Sequence, residues 1–318
     1  MRKTSLDMVQ QLAREDPRVV FVGSDLGPGV LSGFKEEMPD RFFMEGVSEA
    51  NVIGIAAGLA REGFIPFINT IATFLTRRCF EQIAIDICLH NLPARLIGNG
   101  GGLVYAPLGP THQAIDDFAI LRVLPNMSIV APADAEEMKR MMVKTLDWPG
   151  PLYIRLGKGG DPIITSNQVD FEFGRAISFR TEGNVLIVTT GVMTHRCLSA
   201  AERLERAGIF CRLLHMPTVK PLDNNRLFEE AGKVDLIVTV EEHFLTGGFG
   251  SAILETLADG FSGPMPTIKR LGLPDSYIHH YGSQDLLLDQ HGLQATGIFN
   301  EIKSAFEKFM DSGKTDTS

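Results

Sequence analysis

At 318 residues the chain has the length of about two domains and can bury a full core without a disulfide or a structural metal. Hydrophobic residues make up 44% and charged residues 22%, outside the disordered, fibrous and membrane ranges. The 30 Lys and Arg against 39 Asp and Glu leave a net charge of -9, which argues against nucleic acid as a partner and leaves room for a small anionic substrate.

The opening MRKTSLDMVQQLARED is amphipathic and has no apolar core of signal-peptide type. No stretch offers the roughly 20 apolar residues of a membrane span, so a cytoplasmic protein with no membrane partner is expected. Cys79, Cys88, Cys197 and Cys211 form no CxxC pair and have no metal-ligand spacing with histidine. Reduced, buried thiols are the expectation.

Short apolar runs then alternate with helix-period stretches. Strands are predicted at Val19–Val22, Arg41–Gly46, Ile65–Asn69, Ala94–Gly98, Ser128–Ala131 and Leu152–Arg155. Helices are predicted between them at Glu49–Arg61, Thr73–His90, Gln113–Val123 and Asp134–Leu146. This alternation predicts an α/β fold, a mostly parallel sheet with helices on both faces. From Gly160 to Glu182 polar residues dominate and mark a boundary. The pattern resumes with strands at Asn184–Thr190, Phe210–Leu214, Leu236–Val240 and Pro266–Leu271. Helices there are Thr194–Gly208, Asn224–Gly232, one opened by Gly247-Gly248-Phe249-Gly250, and a closing Gly292–Met310. The reading is two consecutive α/β domains, 1–165 and 183–312, joined by a linker at 166–182, with a small polar tail at 313–318 expected to fray.

Four places hold candidate chemistry. Glu49 lies between a strand end and an Ala- and Gly-rich helix, where doubly wound sheets gather ligands, although position alone favours a first-turn acid serving the helix dipole behind a Ser48 N-cap. Gly98-Asn99-Gly100-Gly101-Gly102, then Gly109-Pro110-Thr111-His112-Gln113, suggests backbone folded close around something, with His112 at a helix start able to donate or shuttle a proton. In Thr73-Phe74-Leu75-Thr76-Arg77-Arg78-Cys79-Phe80, Phe74, Arg77 and Phe80 either face one pocket or belong to an ordinary amphipathic helix. Glu241-Glu242-His243 ahead of Gly247-Gly248 is either a ligand site or a tight turn.

In order and spacing, EGVSEANVIGIAAGLA (45–60), TFLTRRCFEQI (73–83), GPTHQAIDDFAILRVLPNMSIVAPAD (109–134) and TVEEHFLTGGFGSAI (239–253) resemble the second half of the transketolase family of thiamine-diphosphate enzymes. The resemblance runs from about Arg2 to Phe309. It implies a pyrimidine-binding domain followed by a smaller transketolase C-terminal domain. By it, Glu49 is the carboxyl group that hydrogen-bonds N1′ of the cofactor's aminopyrimidine, favouring the imino form whose nitrogen removes the thiazolium C2 proton. Phe74 becomes the ring that stacks on the pyrimidine, and Arg77 and Phe80 further wall positions, the arginine in the manner of the deoxyxylulose-phosphate synthase branch. His112 becomes a histidine near the substrate carbonyl, able to stabilise oxyanion charge. Arg2 matches a phosphate-gripping arginine by its distance from Asp25. Lys158 stands for another such arginine, keeping the charge without the bidentate fork, and Gly29 for a hydroxyl residue.

Leu108 stands where typical family members read a sugar hydroxyl with aspartate, four residues before the histidine. Leucine accepts no hydrogen bond, which points to a non-standard sugar, branched, deoxygenated or sulfonated. No Gly-Asp-Gly with a following Asn appears to hold Mg²⁺ and the diphosphate, and a full transketolase needs about twice this length. The expectation is therefore one subunit of a split transketolase, with an alpha-type partner carrying the diphosphate-binding domain and Mg²⁺, in an α2β2 heterotetramer that moves a two-carbon ketol unit from a ketose phosphate or similar anionic sugar to an aldose. Alternatives are the beta subunit of a 2-oxo acid dehydrogenase E1, a deoxyxylulose-phosphate-synthase-like enzyme, and a catalytically inactive structural or regulatory paralogue.

Overall fold

A computed structural model describes residues 1–24, 31–165 and 170–315, with side chains described through residue 311. Asp25 and Gly29 lie outside the described residues, as does the end of the polar tail.

Strands alternate with helices through the first half: β1 (Val19–Gly23), β2 (Phe42–Met44), β3 (Ile65–Ile71), β4 (Arg95–Asn99), β5 (Ser128–Val130) and β6 (Leu152–Leu156). The second half supplies β7 (Ile177–Arg180), β8 (Val185–Thr189), β9 (Cys211–His215), β10 (Thr218–Lys220), β11 (Leu236–Phe244) and β12 (Thr267–Leu273). Among the described residues they form a seven-stranded sheet in the order β10-β5-β6-β4-β3-β1-β2 and a five-stranded sheet in the order β12-β11-β8-β9-β7. Pairing is parallel except at β10–β5 and β7–β9. The apolar run of β1 and the strands β4, β5 and β8 are buried at every position, as strands covered on both faces must be. Helix Glu49–Arg61 buries Val52, Ile53, Ala56, Ala57 and Ala60, one stripe at helical spacing, against the first sheet.

Two predicted helices form differently. Thr73–His90 is not one helix: Ala72–Thr76 ends at Arg77, a turn follows, and Ile83–Cys88 continues with π-type geometry. The buried stripe Leu75, Cys79, Ile83, Ile87 keeps its four-residue spacing across the break, so packing survives while Arg77 and Arg78 are turned outward. Gln113–Val123 is helical only over Asp117–Arg122. Ala114 instead exchanges backbone hydrogen bonds with Gly102, and the Gln113 side chain donates to the Ile278 carbonyl. Tertiary pairing takes those residues from the helix.

The two halves share a polar seam. β10 leaves the second half and pairs with β5 of the first. Fully buried His215 Nε2 lies 3.0 Å from Glu137 Oε2 across it. The triple glycine folds around this chain's own side chains: a Cβ at Gly102 would lie 2.3 Å from Glu242, and one at Gly101 2.4 Å from Arg155. Gly102 also has φ +70°, so only glycine fits there without strain. Glu241-Glu242-His243 is likewise structural. Glu241 accepts from the Phe249 and Gly250 amides at the start of helix Phe249–Gly260, and Glu242 accepts from the Leu103 amide at 2.7 Å.

His243 stacks on Phe118 with centroids 5.5 Å apart. Its Nδ1 donates to the Phe244 carbonyl at 2.7 Å and its Nε2 accepts from the Ala119 amide at 3.3 Å, a pattern only the neutral ring satisfies. Burial, opposed by Asp117, pushes its pKa from 6.5 to about 4. A ring that binds its proton less readily folded than unfolded costs stability as pH falls through this window. Between pH 6.5 and 4 this group is expected to remove about 3 kcal/mol of stability. Denaturant titrations at both pH values should show that slope in the wild type and a flatter one in H243Q.

The four cysteines are free and buried, and burial pushes each thiol up to about 12. They are poor nucleophiles. No helix among the described residues is long and apolar enough to cross a membrane.

Candidate active site

The carboxyl ends of β1 to β4 and the segments that follow them form one corner of the first half, the edge where open α/β sheets bind ligands. Glu49 opens its helix there and is 2% exposed. Ser48 holds the N-cap position, but its hydroxyl donates to the Glu45 carbonyl and leaves the helix start uncapped. Among the described residues, Glu49 Oε2 accepts from Arg78 Nη1 at 2.8 Å, whereas Oε1 meets the Ser24 hydroxyl at 3.4 Å. A buried carboxyl group with one loosely held oxygen is therefore available to a ligand nitrogen.

Phe74 lies on the short helix after β3, its ring covered by the Arg78 guanidinium with 4.3 Å to the centroid. His112, in a 3₁₀ turn over Pro110–His112, meets Phe74 edge-on at 5.0 Å. Thr111 Oγ1 lies 2.9 Å from His112 Nδ1, which fixes the ring. Glu49, Phe74 and His112, far apart in sequence, thus share one corner.

Arg77 turns to Asp116 at 2.9 Å and donates to the Gln113 carbonyl, tying the short helix to the His112 segment. Phe80 is half-buried and packs against the core shared by the two halves. Of the two adjacent arginines, Arg78 reaches Glu49, and sequence reasoning passed it over. The available signal was its position four residues after Phe74, the spacing that stacks side chains on a helix.

Lys158 is exposed and lines a cavity of about 420 Å³ with Asp161, His195 and Arg196. Arg2 is half-buried at the start of helix Arg2–Glu15; the neighbouring Met1 nitrogen lies 3.1 Å from where a Gly159 Cβ would stand. The segments carrying Arg2 and Lys158 are therefore neighbours. Leu108 is 51% exposed at the end of a 3₁₀ turn, on the loop that leads to His112.

This donor set fits an aminopyrimidine: a buried carboxyl group for a ring nitrogen, an aromatic face that already carries a flat cation, and a histidine beside it. It does not fit a metal. Among the described residues no group of three or more His, Cys, Asp or Glu side chains could hold one.

Residues 1–160 match the transketolase pyrimidine-binding domain, and residues 174–298 match the transketolase C-terminal domain. The chain belongs to the transketolase family. Among relatives of this transketolase-family chain, a subunit of the apulose-4-phosphate transketolase of Phocaeicola vulgatus is 34% identical over 309 residues, covering 96% of each chain. The 6-deoxy-6-sulfo-D-fructose transketolase subunit SqwH of a Clostridium species (strain MSTE9) is also 34% identical, covering 97% of this chain and 95% of that one. A solved split-gene transketolase, described as an inactive beta4 tetramer, superposes with a TM-score of 0.84 at 36% identity, over 96% of this chain and 97% of that one. The chain is thus similar, end to end, to the beta-type subunits of split transketolases.

Proposed function

We propose that this chain is the beta-type subunit of a two-subunit, thiamine-diphosphate-dependent transketolase, moving a two-carbon ketol unit from an anionic ketose to an aldose acceptor. The observation that carries the reading is the buried Glu49 carboxyl group beside Phe74 and His112 at the sheet edge. When bound, thiamine diphosphate supplies the acidic carbon through which the ketol carbon–carbon bond is broken and remade. Glu49 holds the aminopyrimidine by a ring nitrogen and shares a proton with it, Phe74 stacks on that ring, and Arg77 and Phe80 wall the seat. His112 steadies oxyanion charge on the substrate.

Mg²⁺ and the diphosphate belong to an alpha-type partner in an α2β2 assembly, which we place in the cytoplasm. End-to-end similarity to subunits of split enzymes supports the division. Leu108 in place of a hydrogen-bonding side chain supports an unusual sugar, in line with relatives named for apulose 4-phosphate and sulfofructose.

Calorimetric titration of thiamine diphosphate with Mg²⁺ tests this. Heat is expected only when the partner subunit is present, and tight binding to this chain alone overturns the split site. In the assembled enzyme, K158A should raise KM for anionic ketoses about tenfold with kcat little changed, since an exposed lysine that grips an anionic terminus contributes uniform binding. Steady-state kinetics with a panel of ketose phosphates and sulfonates reads this directly. An unchanged KM across the panel removes Lys158 from the substrate site.

A further inference from the structure

Arg78 combines two contacts that together have the outline of a ligand. Its guanidinium is flat, delocalised and hydrogen-bond donating. It stacks over Phe74 at 4.3 Å while Nη1 donates to Glu49 Oε2 at 2.8 Å. An aminopyrimidine needs the same two things: a ring face to stack on and a carboxyl oxygen for a ring nitrogen. Arg78 takes Glu49 Oε2 and leaves Oε1 to a ring nitrogen, so the two compete for the Phe74 face that the guanidinium covers. Arg78 is about half-exposed, with 48% of its side chain open to solvent, so it can leave without disturbing the core. Arg78 sits four residues after Phe74, within the turn at Arg77–Cys79 that breaks the predicted helix.

We infer that Arg78 is a built-in stand-in for the cofactor's pyrimidine, a positioning residue that holds Glu49 and Phe74 in binding geometry and must be displaced when the ring enters. The inference rests on the cofactor seat proposed above and adds a competing occupant supplied by the protein itself. Arg77 has no such role, being committed to Asp116 and the Gln113 carbonyl. Displacement forfeits one ion pair with a half-exposed arginine and one cation–π contact. Both are modest, so the competition should weaken ring binding about tenfold.

The test uses the full chain and hydroxymethylpyrimidine, the pyrimidine half of the cofactor, with binding followed by ligand-observed NMR. R78A is expected to bind it about tenfold more tightly than wild type, E49Q to lose binding, and the double variant E49Q/R78A to bind no better than E49Q. Thermal melting of R78A should stay close to wild type, separating competition for the seat from a general loosening. Equal or weaker binding by R78A, with E49Q still losing it, overturns the stand-in and leaves the cofactor seat intact. Absence of binding in every variant, including the assembled enzyme titrated with thiamine diphosphate, removes the seat and the stand-in together.

Discussion

Replacing Glu49 with glutamine in the assembled enzyme is expected to lower kcat by about 10²- to 10⁴-fold, the range a positioned proton-transfer group contributes. The amide has nearly the shape of the carboxyl group, so packing around the start of helix Glu49–Arg61 should be kept. What changes is the ability to share a proton with a ring nitrogen and to pair with Arg78. The structural cost is small because Arg78 is 48% exposed and the pair is screened. E49Q should therefore melt within a few degrees of wild type and still assemble with its partner. Single-turnover kinetics on the assembled enzyme, with size-exclusion chromatography as the control, would measure both. Turnover within a few-fold of wild type would remove Glu49 from cofactor activation.

The largest expected loss of stability comes from a residue outside the site. Arg155, on β6, is only 10% exposed: its Nε lies 2.9 Å from Asp117, its guanidinium covers Phe118 at 4.3 Å, and Nη2 donates to the carbonyls of Ala114 and Glu242 at 2.9 Å. Asp117 is completely buried and also accepts from the Tyr153 hydroxyl at 2.8 Å. R155M would leave that carboxylate without a cation and two carbonyls across the seam without a donor. Breaking a buried pair from one side typically costs about 3–5 kcal/mol, which for domains of this size lowers the melting temperature by on the order of 10 °C. Adding D117N should recover part of the loss, because the uncompensated charge goes with it. A double-mutant cycle by denaturant unfolding reads the coupling, expected to exceed about 1 kcal/mol. Additive effects would mean that the two side chains act independently despite their contact.

Much of the fold was legible because apolar periodicity is a local property. Val19–Val22, Ile65–Asn69 and Leu152–Arg155 read as buried strands and form them, with ends moved by one or two residues. Glu49–Arg61 forms as predicted because its small and branched residues repeat at helical spacing. The departures share one cause: where a long-range partner was available, local propensity lost. Ala114 pairs with Gly102, and Thr218–Lys220, a short stretch with no strand signal of its own, crosses to β5.

The sequence by itself determined the α/β class, the two-part organisation and the family, since all three depend on patterns and motifs read along the chain. It also named Glu49, Phe74 and His112, but could not bring them together. Only the tertiary structure decided that the glycine run and Glu241-Glu242-His243 serve the seam between the halves, and that Arg78 rather than Arg77 covers Phe74 and reaches Glu49. The physical reason is that these roles depend on which side chains converge from distant segments and on which way one broken helix turns. The four-residue spacing of Phe74 and Arg78 hints at their contact, but spacing along one segment encodes neither the convergence nor the turn.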